Sequence, residues 1–272
     1  MTTSTRAEGD STAIELDDVH KSFGQIEVLR GVSFRVARGE TLCVMGGSGG
    51  GKSTLLRVLI GAIRPTSGRV VVDGEDIARM PERELDRFRK KIGVCFQSGA
   101  LLNSMSIAEN VALPLEHHSR QDPETVALVV KIKLQQVDLL HAADRLPSEI
   151  SGGMIKRAAV ARALALDPRV MFYDEPSAGL DPIATARIDR LINRLKESMG
   201  MTSVVVTHEM ESVRRIADHV VLLDRGTILL DGSLDDLLSS SEPRVRQFVE
   251  GDVEALSAES ATLHAYHRDL LL

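Results

Sequence analysis

This 272-residue chain has only two cysteines, Cys43 and Cys95. Each sits within a short apolar run, Thr41–Met45 and Ile92–Phe96, so the pair reads as buried strand thiols rather than a disulfide framework, and a reducing, cytoplasmic compartment is expected. No stretch approaches the roughly 18 consecutive apolar residues needed to cross a bilayer, so any membrane role requires a separate anchoring partner. Met1–Ala13 is rich in Thr and Ser and lacks an apolar core; it reads as a flexible leading segment and not as a signal peptide. A cluster of Lys and Arg is also missing, and the net charge of -6 excludes a nucleic-acid binder that works by neutralising phosphates. No internal repeat is found.

What is present is an ordinary globular balance, 43% hydrophobic and 26% charged, in a chain long enough for one large α/β domain or a domain with a short appendage. Ile14–Val19, Val28–Leu29 and Ser33–Val36 read as strands, followed by the apolar strand Thr41–Met45. Lys52–Ile60 reads as a helix with Leu55, Leu56 and Leu59 on one face and Gly61 at its end. Arg69–Val72 closes an antiparallel part. From Ser98 to Glu149 strand signals fade, and Ser106–Leu113, Pro123–Val137 and Leu139–Arg145 look helical, a candidate helical insertion spanning about 98–155. Val170–Tyr173, Ser203–Val206 and Val220–Leu223 alternate with helices, the pattern of a parallel sheet covered on both faces. The run Ser239–Ser241 marks a boundary, so the main domain is expected over 14–240 and an extension over 241–272, opening with an amphipathic helix at Pro243–Val249.

Two glycine motifs carry the chemistry. Gly46-Gly47-Ser48-Gly49-Gly50-Gly51-Lys52-Ser53, continued by Thr54, fits the phosphate-loop pattern between a strand and a helix. Its glycines let backbone N–H groups curl around phosphates, Lys52 neutralises the β and γ charge, and Ser53 offers a hydroxyl to Mg²⁺. Asp174 and Glu175 end the strand Val170–Tyr173, placing one acid for the Mg²⁺ shell and the other to polarise a water for in-line attack. His208 follows the strand Ser203–Val206, where it is suited to sense the γ-phosphate. Gln97 ends Gly93–Phe96, within reach of Mg²⁺ or the attacking water. The second motif, Ile150-Ser151-Gly152-Gly153-Met154, opens a helix; it is either a simple N-cap at Ser151 or an anion site that needs a partner subunit.

Taken in order, these motifs resemble the ATP-binding subunits of ABC transporters from Ile14 to Ser240. The resemblance implies a P-loop NTPase (RecA-like) core with an N-terminal antiparallel β-subdomain and a helical insertion. It makes Gln97 the Q-loop, Ser151-Gly152-Gly153 the signature, Asp174-Glu175 Walker B, Gly179-Leu180-Asp181 the D-loop, His208 the switch and Phe23 the adenine-stacking aromatic. It further implies ATP and Mg²⁺ as ligands and a head-to-tail homodimer, in which Ser151, Gly152, Gly153 and Asp181 of one copy close over the nucleotide held by the other. Met154 departs from the usual Gln. That Ser-Gly-Gly-Met form, with Phe96–Leu101, Glu109–Leu115 and Pro243–Phe248, is similar to Mla-type subunits that power phospholipid transport between Gram-negative envelope membranes. The expected partners are an integral permease, a substrate-binding membrane protein and a small STAS-type subunit, at the cytoplasmic face of the inner membrane. The ending Tyr266–Leu271 is similar to tails that reach over the neighbouring subunit; a fraying terminus is the alternative. An ABC subunit for an amino acid or metal complex, or a non-transport ABC ATPase, are the competing functions.

Overall fold

The computed structural model describes residues 12–250. The chain opens with two long antiparallel strands, β1 (Thr12–Phe23) and β2 (Ile26–Ala37), then β3 (Thr41–Gly46) and helix α1 (Lys52–Leu59). β4 (Ser67–Val72) and the short β5 (Glu75–Asp76) follow, then α2 (Glu82–Arg89) and β6 (Ile92–Cys95). A helical stretch holds α3 (Ile107–His118), α4 (Pro123–Gln136) and α5 (Gly152–Ala163). The second half alternates β7 (Val170–Asp174), α6 (Pro182–Met199), β8 (Thr202–Val206), α7 (Met210–Ile216) and β9 (His219–Asp224), and ends with β10 (Thr227–Gly232), α8 (Leu234–Ser239) and α9 (Pro243–Glu250).

Two sheets form. The smaller is antiparallel in the order β2-β1-β4-β5; the larger runs β10-β9-β3-β8-β7-β6, parallel except for β10 at one edge. Because successive strand residues face opposite ways, each central strand feeds two cores. Leu42 and Val44 of β3, Val170 and Phe172 of β7, and Val221 and Leu223 of β9 pack with α1, α2 and the small sheet. Their neighbours Cys43 and Met45, Met171 and Tyr173, and Val220 and Leu222 pack with α3 to α7. Both cysteines are free and buried, as their apolar settings indicate, and burial pushes the Cys43 thiol far up and Cys95 to about 12.

The helical stretch is organised by a buried amide. Asn110 on α3 is fully buried, accepts from Leu102 N at 2.7 Å and donates to the carbonyls of Leu102, Met105 and Ser106 at 3.0–3.1 Å. It thereby pins the loop leading into the helix, whose first turn is closed by a reciprocal Ser106–Glu109 capping box. Pro114 lies inside α3, where it removes one N–H from the ladder.

Three expectations need correction. β1 already begins at Thr12, and Ala13, assigned to the leading segment, is a buried core residue whose carbonyl accepts from Asp73 N at 2.7 Å. Val28–Leu29 and Ser33–Val36 are one strand, continuous through Gly31, with the hairpin accommodating the irregularity by register shifts along β1. Leu139–Arg145 supplies only a single 3₁₀ turn at Leu140–Ala142, because Asp138 takes a positive φ and ends α4 sharply. The expected helix at Pro243–Val249 is α9, yet it docks on the main core through buried Val245 and an Arg244–Asp224 ion pair of 2.6 Å. Residues 1–11 and the tail containing Tyr266–Leu271 lie outside the described residues.

Candidate functional site

The glycine loop starts where β3 runs out. Gly46 has φ 149°, and a Cβ there would lie 2.3 Å from the Leu223 carbonyl oxygen, so only glycine lets the chain leave the sheet at this point. Gly51, at φ 105°, caps α1 against Leu29 and the Val28 carbonyl. Gly47 and Gly49 face open space, Ser48 and Ser53 are exposed, and Thr54 is half-buried on the first turn of α1. The loop is therefore wedged from behind by β9 and β2 and open in front. Gly50 is buried in that wedge and donates to Gly47 O at 3.1 Å. Lys52 folds back over the loop, donating to Gly46 O at 2.7 Å and Gly47 O at 3.0 Å. Burial lowers its ammonium from the usual lysine range, while Glu175 and Asp174 oppose that shift.

The two acids come from the end of one strand, β7, which β8 separates from β3 in the same sheet. Asp174 ends β7 opposite Val206 of β8, and burial, followed by the adjacent Glu175, holds its carboxyl above the usual aspartate range. Glu175 has φ 46°, an unusual backbone for a non-glycine residue, fixed by its N–H donating to Val206 O at 2.9 Å. Its Oε1 accepts from Nδ1–H of His208 at 2.9 Å, which fixes the ring tautomer. The other oxygen, Oε2, is buried and has no protein partner. His208 is exposed just past β8, and the next residue, Glu209, accepts from Ser177 Oγ at 3.0 Å and Ser212 Oγ at 3.4 Å. Gln97 is exposed just past β6. Thus the glycine loop, Asp174, Glu175, His208 and Gln97 all sit at the carboxyl ends of parallel strands, where α/β sheets bind ligands. Phe23, at the end of β1, is half exposed with the Lys21 ammonium 4.9 Å above its ring.

The second glycine motif is elsewhere. Ser151, Gly152, Gly153 and Met154 line a cleft of about 420 Å³ with Gly179, Asp181 and the start of α6, and no glycine-loop residue contributes to it. Ser151 caps α5 through a long 3.4 Å contact from Met154 N. Asp181 lies in this same cleft, where its Oδ1 accepts from Ile183 N and Ala184 N, both at 2.9 Å, so this carboxylate is the N-cap of α6.

Contacts that the sequence did not announce hold the site together. Lys156 donates to Gln97 O at 2.5 Å and Glu175 O at 3.3 Å, and Arg162 donates to Gly99 O and Ala100 O at 2.9 and 2.7 Å. Asp189, almost fully buried on α6, accepts from Arg215 at 3.0 Å and from Ser212 at 3.2 Å. Among the described residues no cluster of three or more His, Cys, Asp or Glu side chains is suited to a metal, and no helix is long and apolar enough to cross a membrane.

The family model for ABC transporters matches residues 29–178, which include the loop, Gln97, both glycine motifs and the paired acids. The chain belongs to the ABC transporter family. Within that family it is 40% identical over 239 residues to the intermembrane phospholipid transport system ATP-binding protein MlaF of Haemophilus influenzae, covering 88% of this chain and 90% of that protein. It is also 39% identical over 267 residues to the probable ribonucleotide transport ATP-binding protein mkl of Mycobacterium leprae, covering 94% of this chain and 77% of the relative. The fold resembles the dimeric post-hydrolysis state of the ATP-binding cassette MJ0796 bound to ADP and Pi, with TM-score 0.75 and 32% identity over 81% of this chain and 98% of that one. It also resembles cbiO1 of Clostridium perfringens, part of the ABC transporter complex cbiONQ, with TM-score 0.80 and 26% identity over 88% of this chain and 95% of that one. As an ABC ATPase, the chain has the RecA-like α/β core, the antiparallel subdomain and the helical stretch that its motifs imply.

Proposed function

We propose that this chain is the ATP-hydrolysing subunit of an ABC complex that moves phospholipid between bacterial envelope membranes. The observation that carries the substrate assignment is the 40% identity to MlaF, which spans nearly the whole of both chains. The acting unit is a homodimer joined to an integral permease, a substrate-binding membrane protein and a small STAS-type subunit, at the cytoplasmic face of the inner membrane. A groove of about 500 Å³ between α2, β6, α3 and α5, lined by Arg89, Val94, Pro114, His118 and Arg162, supports permease docking where the helical stretch meets the core. Nucleic acid has no place in this reading, given the net charge of -6.

In the proposed mechanism Phe23 stacks on adenine, while Gly46, Gly47, Ser48, Gly49, Gly50, Gly51, Lys52 and Thr54 hold the phosphates. Ser53, Asp174 and Gln97 hold Mg²⁺, which when bound neutralises charge on the β- and γ-phosphate oxygens. A site with few protein ligands fits this ion, since Mg²⁺ takes the rest of its shell from phosphates and water. Glu175 takes a proton from the attacking water as the new oxygen–phosphorus bond forms and the bond to the β-phosphate oxygen breaks. The unpartnered Oε2 supports this role, because a buried carboxylate oxygen without a protein partner is suited to accept from water. His208 holds the γ-phosphate and, through its bond to Oε1, orients Glu175. Ser151, Gly152 and Gly153 of a second copy close over the γ-phosphate, with Asp181 keeping its neighbouring loop in shape. The separate location of the signature cleft supports this, since one chain alone leaves that motif apart from its own glycine loop.

The likeness to mkl gives a second reading, in which the cargo is a ribonucleotide. Purifying the chain with its membrane partners in detergent and analysing what remains bound separates the two. Phospholipid held by the partners supports the proposal; a ribonucleotide cargo without phospholipid overturns it.

A further inference from the structure

Helix α5 begins at the signature and little more than one turn later touches the hydrolytic half of its own chain. Lys156 Nζ bridges two backbone carbonyls, donating to Gln97 O at 2.5 Å and Glu175 O at 3.3 Å. One and a half turns further, Arg162 donates to Gly99 O at 2.9 Å and Ala100 O at 2.7 Å. Three of the four carbonyls from Gln97 to Ala100 thus accept from α5, in a segment that belongs to neither helix nor strand. Packing reinforces the bonds: Ile155 Cγ2 lies 3.1 Å from where a Gly99 Cβ would be, and Gly99 and Ala100 both have positive φ. The Glu175 carbonyl belongs to the one acid of the site whose backbone is strained, at φ 46°. Burial lowers both cations from their usual ranges, as expected for side chains tucked between elements.

We propose that Lys156 is a positioning residue that couples the two composite sites of the dimer, by transmitting engagement of the signature in one site to Gln97 and Glu175 of the other. Because five residues of helix rise only about 7.5 Å, Ser151 and Lys156 move as one rigid piece. When Ser151 and its glycines meet the neighbour's γ-phosphate, α5 shifts, and Lys156 carries that shift to the carbonyls of Gln97 and Glu175. Arg162 keeps the rest of the segment in register with the helix. The inference rests on the composite-site reading above and adds a physical link between sites.

The test uses full-length chain with Lys156→Met, which keeps the stem and removes every donor, and Lys156→Arg, which restores donors. ATP hydrolysis is followed against ATP concentration, and ATP-dependent dimerisation is followed in each variant combined with Glu175→Gln. Lys156→Met is expected to lower kcat about tenfold with KM changed less than about twofold, and to bring the Hill coefficient to about 1. Lys156→Arg is expected to recover kcat to within about threefold and restore the cooperativity. Dimerisation of Lys156→Met/Glu175→Gln is expected to persist. Wild-type kcat or unchanged cooperativity in Lys156→Met would overturn the proposal, as would a loss that follows a lowered melting temperature and is not recovered by Lys156→Arg. Failure of Glu175→Gln alone to dimerise with ATP would instead strike the composite-site reading, which separates the two.

Discussion

Glu175→Gln isolates the water-activating step from everything that surrounds it. The amide is isosteric with the carboxylate, and its Oε1 still accepts from His208 Nδ1–H, now 2.9 Å away. Its Nε2 takes the buried position of Oε2, which has no protein partner in either case, so one unpaired polar atom replaces another. The fold and the glycine loop are untouched, because the strained φ of 46° is held by the Glu175 N–H bond to Val206 O, which uses no side-chain atom. Loss of a positioned general base costs about 10²- to 10⁴-fold, or about 3–5 kcal/mol in the barrier. Phosphate release under saturating ATP should therefore fall by that factor while ATP affinity stays within a few fold, and gel filtration should show an ATP-dependent dimer that the wild type only visits. Phosphate release within about tenfold of wild type would refute the assignment of the base.

Gly46→Ala places a Cβ 2.3 Å from Leu223 O, so the loop must leave the sheet edge; about 1–3 kcal/mol of strain translates into a melting temperature lower by roughly 3–10 °C, measured by calorimetry. Asp174→Asn removes a carboxyl whose folded-state pKa is raised by burial. For such a group protonation favours the fold, so stability gained as pH falls through its raised pKa is lost again as pH rises, and Asp174→Asn should melt higher than wild type near neutral pH while losing Mg²⁺-dependent turnover. Truncation after Glu250 keeps α9 docked and tests the tail alone: the clasp reading expects weaker dimer or complex assembly by analytical ultracentrifugation, and unchanged assembly counts against it. Truncation after Ser241 is the poorer experiment, because it strips buried Val245 from the core.

The parts of the site that lie on one continuous stretch were legible in the sequence. Thr41–Met45, the glycine loop and the α1 face of Leu55, Leu56 and Leu59 announce themselves because strand burial, turn geometry and helical period follow one another without interruption. The paired acids were legible for the same reason, at the end of the buried run Val170–Tyr173. Helix α2 escaped notice because Glu82–Arg89 buries only Leu85 and Phe88, too few for a periodic signal. Asp181 entered the sequence reading only through the family resemblance, and its N-cap role, in which the N–H groups of Ile183 and Ala184 after Pro182 donate to its carboxylate, was the local signal that the sequence also carried. Lys156, Arg162 and Asn110 could not be found from pattern, since their partners are backbone groups, up to 63 residues away for Arg162, and carry no side-chain signature.

The account's central claim, an ATPase that drives phospholipid movement, is tested most directly by reconstituting the chain with its membrane partners in vesicles and following transfer of labelled phospholipid. Transfer should require ATP, stop with Lys52→Ala and fall with Glu175→Gln in proportion to hydrolysis. Steady ATP hydrolysis by the assembled complex with no phospholipid movement would contradict it.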